Sequence, residues 1–91
     1  MKPALSDLPR LLPGVRMNEN SKQERMLLMP ERVLKLNASS VEIVLRCDGK
    51  TTVQQIAEDL HKLYATAELQ RITNDLLNYL EILHNERAVD F

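Results

Sequence analysis

Two short apolar segments on either side of a Pro-Glu pair constrain the fold of this chain more than any other feature. Residues 27–29 precede Pro30-Glu31, and residues 33–36 follow it. Because proline lacks a backbone N–H, Pro30 is expected to end one strand, and the alternation after it predicts another. The second strand runs directly into a helix, so we expect a small sheet joined to a helical bundle. Such a fold leaves little room for a chemical site, and we expect function to lie in a surface, above all an open strand edge.

Three prolines in the first thirteen residues predict an irregular N-terminus. Pro3, Pro9 and Pro13 cannot donate backbone hydrogen bonds, and each restricts the residue before it. We therefore expect residues 1–13 to form a flexible N-terminal arm and residues 14–91 to form one domain. At 91 residues in total, the chain is near the lower limit for a domain that folds alone.

The rest of the first half of the chain predicts a three-stranded antiparallel sheet. Strands are expected over residues 15–18, 24–29 and 33–36, with a polar hairpin loop over residues 19–23. Because side chains alternate along a strand, Leu34 and Leu36 are expected on one face of the third strand. Val33 and Lys35 are then expected on the other face.

Three helices are predicted after the sheet. Residues 39–42 and 52–55 both fit a capping box, in which a hydroxyl and a carboxylate or amide satisfy free backbone donors, and Asn37 competes for the first cap. Gly49 suits the left-handed position that ends the first helix. The third helix is expected to begin near Thr66 or Ala67 and to end near Glu86.

Apolar residues recur in these segments at the spacing of a helix that buries one face. The expected core residues are Val41, Val44 and Leu45 in the first helix, Val53, Ile56, Ala57, Leu60, Leu63 and Tyr64 in the second, and Leu69, Ile72, Leu76, Tyr79, Leu80 and Leu83 in the third. Leu77 and Ile82 lie outside the third stripe, on opposite flanks. Residues 88–91 predict a short terminal strand. The elements predict a winged-helix-like α+β fold, with a three-stranded antiparallel sheet followed by a three-helix bundle.

The residues of catalytic and metal sites are not arranged for chemistry in this chain. His61 and His84 have no cysteine or carboxylate at metal-ligand spacing, and no glycine-rich phosphate loop is present. Cys47 is expected to pack, half-buried, at the end of the first helix. We therefore expect no catalytic residue, no metal and no cofactor. The single cysteine and the absence of a long apolar segment favour a cytoplasmic protein that does not enter the membrane.

The charge pattern bears on the DNA-binding function that a winged-helix fold brings to mind. Between Glu68 and Glu86 the third helix carries four carboxylates and one arginine, a net charge of −3. In a DNA reader this helix would approach the phosphates, which it would repel. The low aromatic content, 3%, also disfavours base stacking. We therefore expect no nucleic-acid partner, with a DNA-binding regulator kept as the alternative.

The third predicted strand offers another function, the pairing of an extended peptide with its open edge. Arg32 and Lys35 place positive charge along this strand, and the apolar flank of the third helix would form the other wall of a groove. Lys35 also has an ordinary interpretation, since lysine on an edge strand guards against aggregation. Leu77 would equally pack under the N-terminal arm or in a homodimer.

The sequence resembles the PqqD family of peptide chaperones in pyrroloquinoline quinone biosynthesis. The residues that carry the resemblance are Leu28, Pro30-Glu31, Lys35-Leu36-Asn37, Val44-Leu45, Asp48-Gly49, Ile56, Leu60, Tyr64, Ile72, Asp75 and Leu80. The similarity covers roughly residues 14–90. It implies a winged-helix-like recognition element without enzymatic activity, which binds the ribosomal precursor peptide PqqA and presents it to the radical SAM enzyme PqqE.

The resemblance also implies where the peptide binds. In related recognition domains it lies along the third strand and against the third helix. In this sequence the corresponding residues are Arg32, Val33, Leu34, Lys35 and Leu36 in the strand, and Thr73, Leu76, Leu77 and Leu80 in the helix. This chain has Arg32 where many relatives have glycine, and Ala88 where many have tryptophan. A recognition domain of another modified-peptide pathway remains an alternative.

Overall fold

A computed structural model describes residues 2–18 and 25–91 of the chain. The elements in chain order are β1 (Arg10–Leu11), β2 (Arg16–Met17), β3 (Met26–Met29), β4 (Arg32–Lys35), α1 (Ala38–Leu45), α2 (Val53–Leu63), α3 (Leu69–Asn85) and β5 (Val89–Asp90). The predicted α+β fold, a three-stranded antiparallel sheet followed by three helices, is confirmed. The hairpin loop predicted over residues 19–23 lies outside the described residues, as does residue 24 of the predicted second strand.

The three-stranded sheet has the order β2-β3-β4, so β3 is central and β4 is an edge strand. Met29 pairs with Arg32 and Leu27 with Leu34, which leaves Pro30-Glu31 as a two-residue turn. The side chains alternate as predicted, since Leu27 is fully buried while Val33 is 53% exposed. The inner face of the sheet therefore covers the core, and the outer face is turned away from it.

A second sheet joins the two ends of the chain. β1 and β5 are antiparallel, with Arg10 opposite Asp90 and Leu11 opposite Val89. The predicted terminal strand over residues 88–91 is thus present, but its partner was not foreseen. Val89 is buried, which anchors this sheet to the core.

The N-terminal segment, predicted as a flexible arm over residues 1–13, makes backbone hydrogen bonds to the rest of the domain. The carbonyls of Asp7 and Leu5 accept hydrogen bonds from the N–H groups of Val53 and Gln54, both at 3.0 Å. The Thr52 hydroxyl accepts from the next free donor, the Gln55 N–H, at 3.1 Å. Because the first turn of a helix has no internal partners for these donors, the segment completes the N-terminus of α2. The flexibility of residues 1–13 stays a prediction.

The prolines explain why this segment packs against the helices but does not itself form a helix. Pro3 and Pro9 are buried, and the Pro9 carbonyl accepts a hydrogen bond from the Gly49 N–H at 2.9 Å. Gly49 adopts φ +75°, a left-handed conformation that favours glycine. It was predicted to end the first helix, but α1 ends earlier, with Arg46 as its C-cap. Gly49 instead allows the α1–α2 loop to meet the N-terminal segment.

α1 begins with the alternative cap. The Asn37 side-chain oxygen accepts the Ser40 N–H at 2.8 Å, so Asn37, and not Ser39, is the N-cap. Leu45, predicted in the core, is 59% exposed, whereas Ile43 is buried. With this start, the inward stripe of α1 passes through Ser40, Ile43 and Val44, and Leu45 falls outside it.

The cores of α2 and α3 largely match the predicted stripes. The predicted residues that are buried are Val53, Ile56, Ala57 and Leu60 in α2 and Ile72, Leu76, Leu80 and Leu83 in α3. Leu63 and Tyr64 are exposed, because α2 ends at Leu63 and Tyr64 leaves the helical path. Leu69 is exposed at the first position of α3, which begins later than predicted, and Tyr79 is half-buried.

α3 ends in a Schellman motif. The Ala88 N–H donates to the Leu83 carbonyl at 2.9 Å, and the Arg87 N–H donates to the His84 carbonyl at 3.0 Å. Arg87 occupies the left-handed position of this motif, with φ +62°, where glycine is usual. The motif reverses the chain so that β5 follows directly. Within the described residues, no helix is both long and apolar enough to cross a bilayer.

Candidate functional site

The outer edge of β4 is the first component of the site. The Leu36 N–H donates to the Arg25 carbonyl at 2.9 Å, and alternate residues of an antiparallel strand point their backbone groups the same way. Leu34 lies two residues earlier, opposite Leu27, so its backbone N–H and C=O also face β3. The N–H and C=O of Val33 point in the opposite direction, toward the outer edge. The edge strand thus presents the backbone groups that an added strand would use.

The second component is the flank of α3 that runs beside β4. At its C-terminal end the two elements are joined, since the Arg32 guanidinium is 3.1 Å from the Glu86 carboxylate and donates to the Glu86 carbonyl at 3.2 Å. A helix turns about 100° per residue, so Ile82 and Tyr79 lie within about 40° of Glu86 around the helix axis. Ile82 is 51% exposed, and Tyr79 is half-buried. These two side chains form the apolar part of this flank.

We call the space between the strand edge and this flank of α3 the β4 groove, and a cavity beside α1 lies against the same flank of the helix. This cavity has a volume of about 380 Å³ and is bounded by all three helices. Ser39 and Ile43 of α1 line it opposite Ile72 and Asp75 of α3. α1 follows β4 directly in the chain. β4 and α1 therefore run along one flank of α3, from Glu86 to Ile72.

The structure brings together only part of the predicted site. Arg32, Val33, Leu34 and Lys35 lie in β4, beside this flank of α3, whereas Leu36, which follows the strand, is buried in the core. Leu76 and Leu80 of α3 are buried in the core, so their side chains have almost no exposed surface. Leu77 lies about 180° around α3 from Glu86, on the flank turned away from β4.

Thr73 also lies away from the β4 groove. It lines a different cavity, with Leu5 of the N-terminal segment and Ala57 of α2. Its hydroxyl donates to the Leu69 carbonyl at 2.8 Å, a bond within the helix. The sequence shows two apolar flanks on α3, and only the structure shows that the flank of Ile82, not that of Leu77, faces the strand. Ile82 and Tyr79 are the residues that the sequence-based site omitted.

Cys47 is a packing residue and lies outside the groove. It is 5% exposed, and its thiol donates to the Ile43 carbonyl at 3.3 Å. Burial, followed by the negative charge of Asp48, raises the pKa of the Cys47 thiol to about 12. A thiol in this environment stays protonated near neutral pH and is a poor nucleophile. The predicted packing role is confirmed, although the side chain is more deeply buried than expected.

The neighbouring Asp48 has an equally structural role. Its carboxylate accepts the N–H groups of Lys50 and Thr51 at 2.8 and 2.9 Å and the Thr51 hydroxyl at 3.1 Å. These bonds, that of Lys50 first, lower the pKa of the Asp48 carboxyl. Across residues 2–18 and 25–91, no three histidine, cysteine or acidic side chains are grouped closely enough to hold a metal ion.

Comparison with known proteins identifies the family. The sequence family described as "Coenzyme PQQ synthesis protein D (PqqD)" matches residues 24–89. The chain belongs to the PqqD family. The chain is 35% identical over 83 residues to a PqqA binding protein of Pseudomonas paraeruginosa. The aligned region covers 90% of this chain and 88% of the relative. It is 36% identical over 86 residues to the bifunctional coenzyme PQQ synthesis protein C/D of Methylorubrum extorquens, but spans only 23% of that protein.

A solved structure shares the architecture of this PqqD-family chain. It is the NMR structure of the PqqD truncation of Methylobacterium extorquens PqqCD, described as a functional, stand-alone recognition element for ribosomally synthesised and post-translationally modified peptides. The two chains superpose with a TM-score of 0.80 and 35% identity, over 97% of this chain and 94% of the other. The fold inferred from the PqqD resemblance is therefore confirmed.

Proposed function

We propose that this PqqD-family protein is a peptide chaperone of pyrroloquinoline quinone biosynthesis, which binds a PqqA-like precursor peptide by strand addition at β4. The observation that carries the proposal is the outward direction of the Val33 backbone groups on an edge strand beside an apolar groove. The names of relatives, PqqA binding protein and recognition element, support the same ligand class. Main-chain pairing supplies affinity in such complexes, and side-chain pockets supply specificity.

The groove suggests which part of the peptide each element would contact. In an added strand, alternate side chains would point inward, between Leu34 and the flank of α3 that carries Tyr79 and Ile82. The opposite side chains would lie beside Val33. In this proposal Tyr79 and Ile82 replace Thr73 and Leu77 as the helical wall, and Leu76 and Leu80 support the wall from the core.

Positive charge at the strand suits acidic peptide residues. Arg32 is 52% exposed and already bonded to Glu86, so a peptide carboxylate would share or displace this partner. Lys35 lies at the other end of β4. Attraction between exposed charges is screened over about 10 Å at 0.1 M salt, so this contribution to binding is expected to fall as the salt concentration rises.

The proposal includes no catalytic step for this chain. Cys47, the single cysteine of the chain, is buried among packing residues. The modification of the bound peptide is assigned to a separate PqqE-like radical SAM enzyme, to which this protein would present the peptide. A cytoplasmic location belongs to the same proposal.

The test replaces Val33 by proline. Val33→Pro removes an N–H that points away from β3, and proline is tolerated at such edge positions, so the protein is expected to fold. Peptide affinity, measured by calorimetry with a synthetic PqqA peptide of Pseudomonas aeruginosa, should fall at least tenfold. Val33→Ala is the matched control, because it shortens the side chain but keeps the N–H.

Two further measurements complete the test. Leu34→Pro removes a donor that faces β3, and should therefore unfold the hairpin rather than act on the peptide alone. Methylation of single backbone nitrogens in the peptide should abolish binding at alternate positions only. A folded Val33→Pro protein that binds the peptide as tightly as the wild type would disprove strand addition at β4.

A further inference from the structure

Most of the outer face of the three-stranded sheet lies outside the proposed peptide groove. Because side chains alternate, the residues opposite the core are Arg16 on β2, Met26 and Leu28 on β3, and Val33 and Lys35 on β4. Leu28 and Met26 are half-buried, and Val33 is more than half exposed. The face is therefore a small apolar strip with a cation at each side.

Charge on the described strands β2, β3 and β4 is of one sign. The residues of β2, β3 and β4 include three cations and no carboxylate. One of them, Arg32, is held by Glu86 on the inner side. The Arg16 guanidinium makes no hydrogen bond or ion pair with any residue that the structure describes. An exposed arginine at the margin of an apolar strip is typical of interfaces, where arginine is enriched.

A second observation falls at the same place. Arg16 and Leu28 line an open cavity of about 370 Å³ together with Asn18. The side-chain oxygen of Asn18 is buried and has no hydrogen-bond partner among residues 2–18 and 25–91. Buried acceptors are normally satisfied, and an unsatisfied one costs free energy. The margin of the outer face thus combines an open cavity with the Arg16 guanidinium, which suits a partner that carries carboxylates.

We propose that the outer sheet face, centred on Leu28 and Arg16, is the docking surface for the peptide-modifying enzyme, and that the enzyme meets it with an acidic, partly apolar surface. This inference rests on the proposed function. The enzyme must reach a peptide that lies on the edge of β4, and the outer face adjoins this edge through Val33. The inner face is packed on the core, so the outer face is the side of the sheet that such a partner can cover.

The test reverses one charge. Arg16→Glu changes an exposed side chain that has no partner among the described residues, so folding should be unchanged. Because Arg16 lies outside the peptide groove, peptide affinity should also be unchanged. Affinity for a purified PqqE-type radical SAM enzyme, measured by surface plasmon resonance in the presence of the PqqA peptide, should fall about tenfold at low salt. The difference from the wild type should shrink as salt is raised.

Lys62→Glu is the matched control, since it makes the same change in net charge on an exposed position of α2. It should bind the enzyme as the wild type does. Leu28→Ser tests the apolar strip and should weaken enzyme binding at all salt concentrations, with peptide affinity retained.

The outcomes separate this inference from the proposed function. If the wild-type protein does not bind the PqqA peptide, the proposed function itself is contradicted. Peptide binding with equal enzyme affinities for wild type, Arg16→Glu and Lys62→Glu would overturn only the docking surface. Sedimentation of the wild type alone gives a third outcome. If the wild type is a dimer and Arg16→Glu is a monomer, the face is assigned to a second copy of the chain, and the proposal is also overturned.

Discussion

The three-stranded sheet and α3 differ both in charge and in what they bury. β2, β3 and β4 carry cations and no carboxylate, whereas the segment from Glu68 to Glu86 has a net charge of −3. Only Leu27 is buried within these three strands, but α3 buries Ile72, Leu76, Leu80 and Leu83. The helix therefore supplies more of the core, and the sheet keeps more of its surface available. In the proposed function, stability is assigned mainly to α3 and recognition mainly to the sheet, which makes the two separable by mutation.

The largest expected effect tests the helical side of this comparison. Leu80→Ala removes a fully buried side chain of α3, and such changes cost about 3 kcal/mol of unfolding free energy. Urea denaturation measures the loss, and Leu77→Ala, at a half-buried position, should cost less. Similar losses for the two variants would show that α3 does not have a single core face.

The pH dependence of stability is expected to come from the helical side as well. Burial raises the pKa of Cys47 from its ordinary value of 9.0 to about 12 in the folded protein. The contribution of the protonated Cys47 thiol to the free energy of unfolding is fully present below pH 9. It is lost as the pH rises toward 12, because the thiol ionises at a lower pH in the unfolded chain. Unfolding free energy at pH 10 should therefore be lower by about 1 kcal/mol than near neutral pH. Cys47→Ala should lack this part of the decline. An equally steep alkaline decline in the variant would assign it to other groups.

The two flanks of α3 are distinguished by a pair of matched variants. Ile82→Ala removes an exposed apolar side chain beside β4, and peptide affinity should fall about fivefold, or about 1 kcal/mol. Leu77→Ala changes the opposite flank and should leave peptide affinity unchanged. Calorimetry with the PqqA peptide measures both. The reverse order would restore Leu77 to the binding site.

The smallest expected effect concerns the end of α3. Arg87→Gly replaces a residue at φ +62° by one that adopts this conformation without strain, and should raise the unfolding free energy by about 1 kcal/mol or less. Thermal denaturation measures the gain. The change lies outside both the peptide edge and the outer sheet face, so peptide affinity should remain that of the wild type. A destabilised variant would show that the arginine side chain itself stabilises the fold.

The sequence predicts the elements of this protein better than it predicts how they face one another. Periodicity located the core residues of α2 and α3, because burial on one side of a helix leaves a direct pattern. Proline at the turn located β3 and β4. The direction of the Val33 backbone groups, by contrast, depends on the pairing register. A shift of one residue would have turned the backbone groups of Leu34 toward the outer edge instead.

The least predictable contacts join segments that are distant in the chain. Nothing in residues 1–13 indicates that the carbonyls of Leu5 and Asp7 complete the start of α2, since backbone groups carry no sequence signal. The same holds for the flank of α3. Leu77 and Ile82 are equivalent as a sequence pattern, and only the Arg32–Glu86 pair shows which of them lies beside β4.

The pairing of β1 with β5 places the beginning and the end of the fold side by side, with Arg10 opposite Asp90. Packing therefore does not depend on the order in which the chain visits its elements. A circular permutant whose link spans the distance between the two ends of the chain, opened between α2 and α3, would keep both sheets and all three helices. Another domain joined after Phe91 would start beside this small sheet, at the C-terminal end of α3. The bifunctional relative, of which this fold makes up less than a quarter, shows that PqqD sequences do occur in such fusions.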